Sequence, residues 1–147
     1  MAMAQVPGAP GNNDATAVII DSGSTNRAGF RIAVDRSGSI EVRMQPRGAG
    51  RAQSQAEPVK KTVPKELAAT FYTDLNAAQP FTNLPAAHCA KSVSFGSRLT
   101  VTLGDYETPD LSCGDGGNAA MRNLIGVVRQ IVALSGAQDM RLQREVR

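Results

Sequence analysis

His88, Cys89, Asp110 and Cys113 carry the side-chain types in this sequence that together match a transition-metal site. Imidazole, thiolate and carboxylate are the donors that Zn2+ accepts in a tetrahedral shell. The spacing argues for something else. His88 and Cys89 are adjacent, and neighbours on an extended strand face opposite sides. The same adjacency weakens a cysteine–histidine nucleophile pair, because the base must reach its nucleophile at hydrogen-bond distance. The chain holds 2 cysteines, and a pair in an exported chain most simply forms one bridge. The reading is a Cys89–Cys113 disulfide, with a metal site built from His88, Cys89, Asp110 and Cys113 as the alternative. No motif calls for a cofactor.

Asp21 is the second candidate, in the run Val18-Ile19-Ile20-Asp21-Ser22-Gly23-Ser24-Thr25. This resembles the apolar-Asp-Ser/Thr-Gly signature of aspartic proteases, whose chemistry needs two carboxylates sharing one proton. The chain has one copy, so the resemblance implies a homodimeric enzyme of retroviral type with Asp21 from each subunit. Two features depart from it: helical patterns foreign to that all-β fold, and Asn26-Arg27-Ala28-Gly29 where an apolar continuation belongs. The same residues also resemble the Asp-x-Gly-x-Thr phosphate loop of actin-like proteins and sugar kinases, in which backbone N–H groups face phosphate. Those proteins need two such domains and a much longer chain. As plain turn chemistry, Asp-Ser-Gly-Ser ends a strand.

Composition narrows the function classes. Sixteen Lys and Arg against 13 Asp and Glu give a formal charge of +3, and aromatic residues make up 4% with no Trp. Arg27, Arg31, Arg36, Arg43, Arg47 and Arg51 are scattered with no aromatic residues between them to stack on bases, so nucleic-acid binding is not expected. No apolar run approaches the roughly 20 residues that cross a bilayer. Ala2-Met3-Ala4 before Gln5 has the small-x-small pattern of a signal-peptide cleavage site, whose basic and apolar segments would lie upstream. With the cysteine pair, this gives the expectation of an exported, periplasmic or extracellular protein.

The elements that must position these residues follow from periodicity. Residues 1–15 are rich in Pro, Gly and Asn and are expected as a disordered leader. Residues 16–136 read as a single domain, long enough to bury roughly 70% of its unfolded surface. Thr16 to Ile20 is a strand. Phe30, Ile32 and Val34, then Ile40, Val42 and Met44 across Asp35-Arg36-Ser37-Gly38, form a hairpin with one apolar face. Residues 46–61 break all periodicity and read as a long mobile loop.

Thr62 and Pro64 start a helix with Leu67, Phe71, Leu75 and Ala78 on one face, and Pro80 stops it. Phe81 to Ala87 connects it to a second alternating set, Val93, Phe95, Leu99, Val101 and Leu103. That set turns at Gly104-Asp105 into an extended Tyr106–Leu111. Met121, Leu124, Ile125, Val128, Ile131 and Val132 mark a second amphipathic helix ending near Gly136. Residues 137–147 read as a polar tail that frays, with Leu142 and Val146 able to extend a helix.

Strands joined by turns rather than helices give an α+β architecture: an antiparallel sheet of two hairpin-plus-helix halves, the helices on one face. This layout over residues 16–135, with Pro109-Asp110-Leu111-Ser112-Cys113 as its most distinctive segment, resembles small exported bacterial domains of unknown function. The resemblance implies no activity. The leading expectation is a non-catalytic binding or interaction module for an unknown protein or small ligand. The protease using Asp21 and the metal-binding protein are the alternatives.

Overall fold

The computed structural model describes residues 15–45, 57–86, 89–91 and 96–146. Alternating apolar residues build six strands: β1 (Ala17–Asp21), β2 (Phe30–Val34), β3 (Ser39–Met44), β4 (Val59–Thr62), β5 (Leu99–Leu103) and β6 (Tyr106–Glu107). They form one sheet of order β4-β3-β2-β1-β5-β6, antiparallel at every pairing. The period of two puts Ile19, Ile32, Val42 and Val101 in one buried row and leaves Val18, Ala33 and Thr102 half-buried on the opposite face.

Three helices, α1 (Lys65–Ala77), α2 (Ala119–Ser135) and α3 (Ala137–Val146), complete the α+β fold. Pro64, with its fixed φ, stands just before α1, whose Ala68, Phe71 and Leu75 are buried. Tyr72 on the same helix accepts the Ala17 N–H at 2.9 Å and donates to the Val34 carbonyl at 2.5 Å, which ties α1 to β1 and β2. Burial pushes its phenol above the usual tyrosine range. In α2, Asn118 caps the start by accepting the Met121 N–H at 2.8 Å. Met121, Leu124, Ile125, Val128, Ile131 and Val132 are all buried, each contributing roughly 1.5–3 kcal/mol by leaving water. Among the described residues no helix is long and apolar enough to cross a membrane.

The structure departs from the sequence reading in three places. Residues 59–61 of the expected loop, together with Thr62 of the expected helix start, are an edge strand, β4, in register with β3 from Ser39↔Thr62 to Val42↔Val59. Its Val-Lys-Lys-Thr composition suits a sheet edge, where lysines discourage further pairing, and hides the strand from a search for apolar alternation. Residues 46–56 lie outside the described residues, as do residues 1–14, Val93 and Phe95.

The second departure is the expected polar tail, which is helical from Ala137 to Val146. The third lies after β5. The hairpin to β6 closes at Gly104-Asp105 as read, but the extended piece to Leu111 is a strand only at Tyr106–Glu107. It then tightens into a 3-10 turn at Leu111–Cys113.

Candidate functional site

Asp21 falls at the inward-facing end of β1, where Ala17 and Ile19 before it are core residues. Across the sheet it stands in a row with Leu99, Phe30 and Met44. A carboxylate in that row needs a partner, since an isolated buried charge is very costly. The partner comes from 120 residues away: Arg141 on α3 donates from Nη2 to Asp21 Oδ2 at 2.8 Å. The two side chains are only 4% and 9% exposed, and the Arg141 guanidinium lies 5.1 Å from the centre of the Phe30 ring. Asp21 Oδ1 accepts the Gly23 N–H at 2.9 Å, so each carboxylate oxygen has a donor.

The backbone around Asp21 is tightly fixed. The Ser22 N–H donates to the Arg98 carbonyl and the Ser22 hydroxyl accepts the Arg98 N–H, both at 2.9 Å, which locks the end of β1 to the entry of β5. Gly29 folds back against this turn so closely that a Cβ there would sit 2.4 Å from the Asp21 carbonyl oxygen. The turn reading of Asp21-Ser22-Gly23-Ser24 therefore describes the local geometry, and the ion pair adds to it. For the protease reading, the carboxylate that would share a proton across a dimer is here engaged by a guanidinium and a backbone N–H. Thr25 of the phosphate-loop reading is exposed beyond the turn.

Cys89 and Cys113 are bonded, with their Cα atoms 5.5 Å apart. Both thiols of the four-residue metal reading are thereby occupied, and its His88 lies outside the described residues. Among the described residues no three His, Cys, Asp or Glu side chains gather as a metal shell. Asp110, the remaining member, organises the bridge. It accepts the Leu99 and Ser112 N–H groups at 3.0 Å and the Ser112 hydroxyl at 2.7 Å on Oδ1, and the Lys91 ammonium on Oδ2. Burial pushes its pKa up, but Lys91, Leu99 and Ser112 outweigh that and bring it down to about 2. Lys91 also donates to Ser112 Oγ at 2.7 Å and to the Ser97 carbonyl at 2.6 Å. A lysine activating a serine has to accept its proton, and here the ammonium is a donor to three groups.

Between these two clusters lies a cavity of about 380 Å³. Asp21, Arg27, Arg129, Arg141 and Gln138 give it charge and polarity, and Ser97 and Ser112 bring hydroxyls from the side of the disulfide. Phe30, Leu99 and Val132 form its apolar wall. Arg141 Nε is buried and has no acceptor among the described residues. A larger groove of about 460 Å³ follows the β3–β4 edge, but there Asp35 and Glu41 balance Lys60 and Lys61. Sequence reasoning singled out Asp21 and missed Arg27, Arg129 and Arg141 as its neighbours. The available signal was the inward position of Asp21, which demands a cation without saying which one.

No protein-family model matches this sequence, and searches of curated proteins and of solved structures return no match.

Proposed function

We propose that this chain is an exported, non-catalytic binding module that takes a small ligand in the cavity between the Asp21 end of the sheet, α2 and α3. One observation carries the reading: the cavity combines a buried guanidinium with an unused donor, apolar walls, and a size within the usual range for small-molecule sites. The Ser112 hydroxyl supports binding rather than catalysis, because the carboxylate it donates to, Asp110, has its pKa held down at about 2 and is too weak a base to take its proton. Export is supported by the Cys89–Cys113 bond, since disulfides persist in oxidising compartments.

A fragment screen read by amide NMR tests the binding role. Hits should move the resonances of Phe30, Val132 and Gln138 together. The reading fails if no fragment does so while the protein cleaves peptides at acidic pH and loses that activity in Asp21→Asn. Cell fractionation tests export: recovery of the chain only from the cytosol, with both thiols reduced, would refute it.

A further inference from the structure

We infer that the cavity is an anion site, in which Arg141 and Arg129 hold the carboxylate or phosphate-monoester group of a small molecule whose apolar body rests on Phe30, Leu99 and Val132. This rests on the cavity being the ligand site and adds the chemical class of the ligand.

Among the described residues, three guanidinium groups line the cavity against one carboxylate, Asp21, and Arg27 already has a partner of its own. That carboxylate is already engaged by the Arg141 Nη2 and the Gly23 N–H. Arg129 projects from the exposed side of α2 and forms no ion pair with a described residue. The cavity thus keeps a surplus of positive charge beside apolar surface. The groove at the β3–β4 edge, with equal numbers of lysines and acids, does not.

Arg141 also lacks one acceptor among the described residues. A guanidinium carries five N–H donors in a planar fork, and buried donors in folded proteins are almost always satisfied. Arg141 is 3% exposed, yet its Nε has no acceptor among the described residues. Asp21 reaches Arg141 through a single oxygen, which leaves the geometry short of the two-bond fork that arginine makes with carboxylate or phosphate. An incoming oxyanion supplies the acceptor and offsets the surplus charge in one step. The shape agrees: about 380 Å³ with one wall of aromatic and aliphatic side chains suits a compact molecule with an anionic end.

The test uses the full oxidised chain at low salt with benzoate, phenyl phosphate and the neutral benzamide as probes, followed by calorimetry and by NMR of the arginine Nε–Hε groups. Benzoate or phenyl phosphate should bind about tenfold or more tighter than benzamide, the gain expected of a charge-assisted hydrogen bond. It should also shift the Arg141 Nε–Hε signal and weaken as salt is raised. Which of the two binds more tightly distinguishes a carboxylate from a phosphate ligand. Arg141→Gln risks the fold, so Arg129→Gln is the decisive variant: being exposed, it should fold normally, lose about tenfold in anion affinity and leave benzamide unaffected. The anion assignment falls if benzamide binds as tightly as the acids while moving Phe30 and Val132, an outcome that keeps the cavity as a ligand site. It falls equally if Arg129→Gln leaves anion affinity unchanged. If none of the three probes perturbs any cavity resonance, both readings fall together.

Discussion

Asp21 and Arg141 are each affordable in the interior only because of the other. Removing one partner of a buried pair leaves an uncompensated charge and typically costs about 3–5 kcal/mol. Arg141→Gln should therefore destabilise the chain by roughly that amount in urea unfolding, and Asp21→Asn by a comparable one. The double variant Asp21→Asn/Arg141→Gln should cost clearly less than the sum of the two, because neither charge is then stranded. Strict additivity would show that the pair does not interact. Asp110 allows a second measurement at this scale. Its pKa is depressed to about 2, so its stabilisation is present above the ordinary carboxylate value near 3.8 and is lost as pH falls through about 2. Wild type should exceed Asp110→Asn in stability by at most about 2 kcal/mol at neutral pH, and the gap should close between about pH 4 and pH 2. A gap that does not change over that window would mean Asp110 acts through its shape alone. Asp21 stood out in the sequence because an apolar run leads into Asp21-Ser22-Gly23, the pattern of an aspartic-protease signature, whereas Arg141 sits in a polar stretch with nothing local to mark it.

The same contrast holds among the elements. Strands β1, β2, β3 and β5 and helices α1 and α2 were legible because each has an apolar face that the core requires: Phe30, Ile32 and Val34 at period two, Leu124, Val128 and Ile131 at helical steps. Strand β4 was not, since Lys60 and Lys61 gain their order from pairing with β3 rather than from burial. Helix α3 was hidden for a related reason: Arg141 is buried against Phe30 and Asp21, which only the folded sheet brings to it. What aims α3 is Gly136. Its φ of 74° reverses the chain at the end of α2, and a Cβ there would meet the Lys61 ammonium nitrogen at 2.6 Å. Gly136→Ala should cost about 1–2 kcal/mol from the left-handed backbone, since the Lys61 ammonium ends a flexible side chain and can move aside. By tilting α3 it should also weaken benzoate binding. Asn118→Ala, which removes the cap of the same helix at its other end, should cost about 1 kcal/mol and leave affinity alone. If the two variants affect binding equally, α3 is not positioned by the Gly136 turn.

At the scale of the whole molecule, the sheet is assembled from distant parts of the sequence. Strand β1 is paired on one side by its neighbour β2 and on the other by β5, which the chain reaches only after α1. The excursion that delivers β5 begins near Cys89 and ends at Cys113, and the bond between them spans a sequence separation of 24. Inside that loop lie Lys91, Ser97, Leu99, Asp110 and Ser112, so the bridge encloses both the Asp110 network and one wall of the cavity. Closing a loop of this length removes unfolded-state entropy equivalent to about 3.5 kcal/mol in the chain-entropy model, a large share of the 5–15 kcal/mol typical of a domain. Reduction, or Cys89→Ser/Cys113→Ser, should lower the melting temperature by about 10 °C for a chain of this size. It should also reduce benzoate affinity, because the Ser97 and Ser112 wall is then held by the Asp110 hydrogen bonds alone. Thermal melts and titrations with and without reductant measure both effects, and intact mass after alkylation verifies the bond. If protein taken from an oxidising compartment alkylates at both thiols without reductant, the bridge does not form there. The stabilisation by the bridge then disappears, and His88, Cys89, Asp110 and Cys113 become available again as metal ligands.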